Sequence, residues 1–187
     1  MNIFSLKELL NYCSSDKRIK YLFFWSHKER GDEVSKACLS QWYEAPFEFE
    51  ERLYLTAEHF MMAKKAKLFS DMESFEKILQ AKHPAEAKEL GRGVKNFNQK
   101  LWEQKRFDIV VQGNLLKFSQ NPKLKDFLLA TSNRVLAEAS PKDTIWGIGL
   151  DEKDKDAQNP YKWRGLNLLG FALMKVRAKL ELENGIF

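Results

Sequence analysis

The chain has 187 residues, with 31 Lys and Arg against 26 Asp and Glu, a length that predicts one domain with a sizeable core. Its 13% aromatic content and ordinary numbers of glycine and proline, 9 and 5, exclude disordered and fibrous classes. The net charge of +5 suits an anionic partner. The charges are intermixed and no block of five or six like charges occurs, so a phosphorylated small molecule fits at least as well as a nucleic acid.

In chain order, Phe4, Leu6, Leu9, Leu10 and Cys13 recur at helical spacing behind Ser5, which predicts a first helix with a serine cap. Lys7 and Glu8 break the apolar run that a signal peptide would need. "YLFFW", residues 21–25, reads as a strand. About thirty residues rich in charge and aromatics follow, ending in "FEFEERLYL", which partly alternates and reads as another strand. Thr56 caps a helix running to about Phe69. "DMESFEKILQAK" and "HPAEAKELGRG" predict two shorter helices, the latter opened by Pro84 and ended by Gly91 or Gly93. The longest predicted helix is "NQKLWEQKRFDIVVQGNLLKFSQ", where Leu101, Phe107, Val110, Val111, Leu115 and Phe118 share one face. Asn121-Pro122 opens "PKLKDFLLAT", and "RVLAEAS" reads as a short strand. Residues 150–163 are polar and long for a connector, which marks a functional loop. "RGLNLLGFALMKVRAKLEL" predicts a final buried helix starting at about Arg164. The expectation is a mainly α, single compact helical domain with a few short strands.

The longest apolar run, "LNLLGFALM", is well short of the ~20 residues of a membrane helix. Cys13 and Cys38 lack metal-type spacing and read as two reduced thiols in a cytoplasmic protein. His27, His59 and His83 are scattered, so no metal is expected. A phosphate loop, a dinucleotide glycine fingerprint and a nucleophile elbow are all missing.

Three groups of residues can carry chemistry. Glu58 and Lys65 are seven apart and point to nearly the same side of one helix, two turns from each other. Both suit an exposed acid and base on a solvated helix. The apolar residues Ala57, Phe60, Met61 and Ala63 around them force some of the helix's charges inward, and a buried Glu or Lys is costly unless paired or used. In "PKDTIWGIG", Trp146 lies between a turn-forming Asp143 and the glycines Gly147 and Gly149. That is either a stacking platform, with Asp143 orienting or accepting a proton, or an aromatic plug behind a capped turn. In "YKWRGLNLLG", Arg164, Asn167 and Gly170 sit at a helix start that either binds an anion or is simply capped.

Taken together, "CLSQWYEAPF", "LYLTAEHFMMAKKAKLF", "HPAEAKELGR", "LWEQKRFDIVVQGNLLKFSQNPKLKDFLLATSNRVLAEASPKDTIWGIGL" and "WRGLNLLGFALMKVRAKL" occur in an order that resembles the NADAR superfamily and its YbiA-like N-glycosidase branch. The resemblance covers roughly residues 22–180 and leaves 1–21 as a helical extension. It implies a mostly helical fold that cleaves the bond between C1 of a ribose and a nitrogen without a cofactor. The implied substrates are phosphoribosylamino-pyrimidine intermediates of riboflavin synthesis or, in other members, ADP-ribose attached to guanine bases, which admits nucleic acid as a modified substrate. Carried over by motif, Glu58 and Lys65 are the helix glutamate and lysine, and Trp102 is the tryptophan of the long helix. Asp143 and Trp146 are the pair before the glycine turn. Gln41 departs from the family's usual asparagine in "Ser-Asn-Phe", being one methylene longer.

On this reading Glu58, Lys65 and Asp143 are catalytic, and Trp146, Trp102, Gly147, Gly149, Gln41, Arg92, Arg164 and Asn167 bind substrate, the two arginines as phosphate ligands. A rival class is a non-catalytic nucleotide-binding module, which the basic pI and the aromatics also suit.

Overall fold

The computed structural model describes residues 2–14, 18–29, 31, 33–183 and 185. Seven α-helices and four short strands occur among them, a mainly α chain. The chain divides into two compact units, residues 1–40 with 123–187, and residues 41–122.

The first unit contains α1 (Leu6–Cys13), β1 (Tyr21–Phe24), a 3-10 turn (Lys36–Leu39), α6 (Pro122–Ala130, from its second residue), β4 (Val135–Glu138) and α7 (Leu168–Glu183). Ser5 caps α1 as its spacing predicts, accepting the Glu8 N–H. β1 and β4 pair in parallel, with Tyr21 opposite Val135 and Phe24 opposite Glu138. Parallel strands need cover on their faces, and α7 packs on β4. Gly170 allows that approach, because a Cβ there would lie 2.1 Å from the Leu136 carbonyl oxygen. Backbone cannot move aside as a side chain does, so Gly170→Ala is expected to destabilise by about 3 kcal/mol or more despite the roughly 1 kcal/mol of helix propensity it gains. Urea denaturation measures this, and a change under about 0.5 kcal/mol would contradict the close contact. Farther along α7, buried Arg177 donates to Thr131 Oγ1 at 2.7 Å and to the Arg134 carbonyl at 3.1 Å, fixing the turn that enters β4.

α7 starts at Leu168, four residues later than its apolar pattern predicts. The preceding N–H groups are used elsewhere: Arg164 and Gly165 donate to the Ile148 carbonyl at 2.9 and 3.0 Å, and Asn167 donates to Gly147 at 3.0 Å. Asn167 also has a left-handed φ of 52°, which asparagine tolerates better than most residues.

The second unit contains a hairpin, β2 (Phe47–Phe49) and β3 (Arg52–Tyr54), followed by α2 (Ala57–Leu68), α3 (Met72–Gln80), α4 (Pro84–Arg92) and α5 (Gln99–Gln120). "FEFEERLYL" is thus two strands rather than one. Glu50 and Glu51 turn the chain with φ of 51° and 59°. Two successive positive φ values make the tight hairpin turn that Asn-Gly usually signals, and a Glu-Glu pair carries no such signal. α2 is the central helix and packs against α3, α4 and α5. Its Phe60 is fully buried, 5.0 Å from the Tyr54 ring and 5.8 Å from Phe47. Burying such a ring stabilises by roughly 1.5–3 kcal/mol. Among the described residues no helix is long and apolar enough to cross a membrane.

Candidate functional site

The second unit brings Gln41, Glu58, Lys65 and Trp102 onto or beside α2. Thr56 caps that helix, and its hydroxyl oxygen accepts the His59 N–H. His59 is buried, with Nε2 3.1 Å from the Ala81 carbonyl and Nδ1 2.8 Å from Thr56 Oγ1. A carbonyl only accepts, so Nε2 carries the proton and Nδ1 accepts from the threonine hydroxyl. Burial pushes His59 below its ordinary range, which keeps it neutral. The imidazole in "AEHF" is therefore a structural tie between α2 and the end of α3.

Glu58 stands in the first turn of α2, only 3% exposed. Its N–H donates to the Gln41 carbonyl at 3.0 Å, which ties the segment carrying the family's departure directly to this residue. The Gln41 side chain is itself 7% exposed, and its Oε1 accepts from Asn114 Nδ2 on α5 at 2.7 Å. Asn114 is fully buried and donates as well to the Val110 carbonyl at 2.9 Å. Since Val110 can only accept, Asn114 must present its NH2 in this direction, and this orients the Gln41 amide in turn. Asn114 escaped sequence reading because its partner lies 73 residues away.

Lys65 is half-buried, and its Nζ donates to the Gly91 carbonyl at 2.7 Å, at the carbonyl end of α4. The same nitrogen lies 4.4 Å from the Phe97 ring centroid and 5.6 Å from that of Trp102. Trp102, buried on α5, therefore helps to wall this lysine. Burial pushes the Lys65 ammonium below the usual lysine range. The neighbouring Lys64 is paired with Glu50 at 3.5 Å. Seven residues of helix rise separate Glu58 and Lys65 by roughly 10 Å along the axis. Arg92 lies at the exposed end of α4, 3.0 Å from Glu89, a surface pair of small energetic weight.

The first unit gathers the remaining candidates around the junction of β4 and α7. Asp143 Oδ1 accepts the Ile145 and Trp146 N–H groups at 2.9 and 2.7 Å, making the turn its sequence context predicts. Trp146 is half-buried, with its carbonyl accepting from Leu169 at 3.1 Å. At Gly147 a Cβ would come 2.8 Å from the Glu138 carbonyl, and at Gly149, with φ +70°, 2.9 Å from Arg164 Cβ. The chain's own atoms occupy the space beside both glycines. Asn167 is fully buried, accepting the Glu138 N–H at 3.0 Å and donating to the Leu136 carbonyl at 2.9 Å. Arg164 is exposed.

The NADAR domain model matches residues 23–181. The chain is 46% identical over 165 residues to N-glycosidase R617 of Acanthamoeba polyphaga mimivirus, covering 84% of this chain and 95% of that protein. It is 33% identical over 132 residues to the chloroplastic riboflavin biosynthesis protein PYRR of Zea mays, covering 67% of this chain but 19% of that protein. The NMR structure of the Escherichia coli protein YbiA superposes with a TM-score of 0.73 at 25% identity, covering 91% of this chain and 90% of YbiA. With a family match across most of its length and a relative this similar, the chain belongs to the NADAR family.

Proposed function

We propose that the chain is an N-glycosidase that hydrolyses the bond between C1 of a ribose and a nitrogen, with phosphoribosylamino-pyrimidine intermediates of riboflavin synthesis as its substrates. The observation that carries this reading is the placement, on one helix, of an enclosed carboxylate at Glu58 and a half-buried amine at Lys65. The N-glycosidase name of the viral relative and the partial likeness to a riboflavin biosynthesis protein support it.

Breaking a C1–N bond builds positive charge on the sugar, and a carboxylate near C1 stabilises that charge or activates the attacking water. Glu58 has this role, and the leaving nitrogen takes a proton from an acid. Lys65 attacks C1 of the ribose. As its Nζ–C1 bond forms, the C1–N bond to the heterocycle breaks and the heterocyclic amine departs with a proton. The C1–oxygen bond of the ring then breaks, the ring oxygen takes the proton released from the lysine nitrogen, and an imine with the opened ribose results. Water adds to the imine carbon, releasing the sugar aldehyde and restoring the lysine. Trp102 walls the Lys65 amine.

The full chain incubated with a phosphoribosylamino-pyrimidine is expected to release ribose 5-phosphate and the free aminopyrimidine in equal amounts, read by mass spectrometry. Binding without release would leave a nucleotide-binding module instead. Release of ADP-ribose from ADP-ribosylated guanine in DNA, with the pyrimidine untouched, would move the substrate to nucleic acid.

A further inference from the structure

The first unit contains a cavity of about 610 Å³ at the carboxyl ends of β1 and β4, within the size range of small-molecule sites. Trp25 immediately follows β1 and Ala139 immediately follows β4, and both line it. Parallel strands present their ligand sites at this end. Trp25 is 55% exposed, although a tryptophan that only supported the fold would be largely buried.

The rest of the lining has mixed charge. Glu29 is used by Ser35, whose N–H and hydroxyl it accepts. Glu152 pairs with Lys36 at 2.8 Å, and Asp151 accepts the Lys153 N–H at 2.9 Å. Lys28, Lys153 and Glu33 line the same cavity without an ion pair among the described residues. Four carboxylates against three ammoniums leave no excess positive charge here to hold an isolated phosphate. A neutral planar ring with amino and carbonyl groups on its edge meets the opposite situation: amino groups find Glu33, carbonyl and ring-nitrogen acceptors find the two ammoniums, and the ring face finds the indole.

The polar stretch 150–163 helps to build this wall. It is organised by successive turns in which Asp151, Asp154 and Asn159 each accept an N–H two residues on. The Trp163 indole fastens it by donating to the Ala157 carbonyl at 2.7 Å.

We propose that this cavity of the first unit is a binding site for a nucleobase-like heterocycle, taken on the face of Trp25. The proposal goes beyond the N-glycosidase reading, and its test reads binding alone. Calorimetric titration of the full chain with cytidine 5′-monophosphate and with ribose 5-phosphate separates the ring from the sugar phosphate. The nucleotide is expected to bind about 5- to 100-fold more tightly, the range of one base–aromatic stack. Trp25→Ala should remove that advantage while leaving ribose 5-phosphate affinity unchanged, and Trp25→Phe should keep most of it. The high exposure of Trp25 makes loss of folding from either change unexpected, and thermal melting checks this. Equal affinity of the wild-type chain for both probes, or an undiminished nucleotide advantage in Trp25→Ala, would overturn the subsite. If the binding pattern holds but no ribosyl bond is cleaved, the subsite stands and only the glycosidase reading falls.

Discussion

Glu58→Gln is expected to lower turnover on the ribosyl substrate by about 10²-fold or more while the folded chain melts within about 2 °C of the wild type. The carboxylate is almost completely enclosed at 3% exposure, where a negative charge near C1 is screened far less than in water. Glutamine preserves volume and a carbonyl acceptor, so helix packing around α2 is retained. It loses the charge that stabilises a sugar cation and the basicity that activates water. The backbone contribution is untouched, because the Glu58 N–H continues to donate to the Gln41 carbonyl. Turnover and melting temperature measured on one preparation separate the two effects. Wild-type turnover in a folded Glu58→Gln chain would return this residue to a structural role.

The helices were readable because their ends are written locally. Ser5, Thr56, Asp71 and Asn98 each accept an N–H three residues on, Pro84 stands at the first turn of α4, and the apolar spacing marks what lies between. Both strands of the parallel pair were also visible as short apolar runs, although nothing in either run says that they pair with each other. Two features were hidden for physical reasons. The Glu50-Glu51 turn adopts positive φ with residues that do not ask for it, so the alternation around it predicts a single strand. The start of α7 depends on carbonyls of residues 144–148, which capture N–H groups that the periodicity assigns to a helix.

The site divides in the same way. Glu58 and Lys65 share a helix and follow from a count of residues. The neutral tie made by His59 needs the Ala81 carbonyl, the orientation of Gln41 needs Asn114, and the Trp25 cavity needs two strand ends and the loop after Leu150. A sequence shows which side chains have chemistry. Whether each is spent on the fold or left for a ligand is decided by partners far along the chain, as Asn167 illustrates: its amide, a candidate anion ligand by position, is bonded at both ends to β4.

Lys65→Arg is expected to abolish both activity and covalent trapping of the sugar. The wild-type chain treated with borohydride during turnover should gain the mass of a reduced ribose phosphate on the peptide containing Lys65. The environment favours a reactive amine: burial holds the ammonium below the ordinary lysine range, which enlarges the neutral fraction near pH 7. The sign sets the pH profile. Only the neutral amine attacks C1, so the rate should rise with pH on a limb whose midpoint lies below the usual lysine value of about 10.4. A purely electrostatic lysine gives the opposite limb, with activity falling as the ammonium deprotonates. Lys65 also donates to the Gly91 carbonyl at 2.7 Å, a tie to α4 that a guanidinium can still make. Arginine therefore keeps the charge and the helix contact and removes the nucleophile alone. Retained activity in Lys65→Arg with nothing trapped in the wild type would end the imine route and leave Lys65 as a cation for the substrate's phosphate or for the field around Glu58.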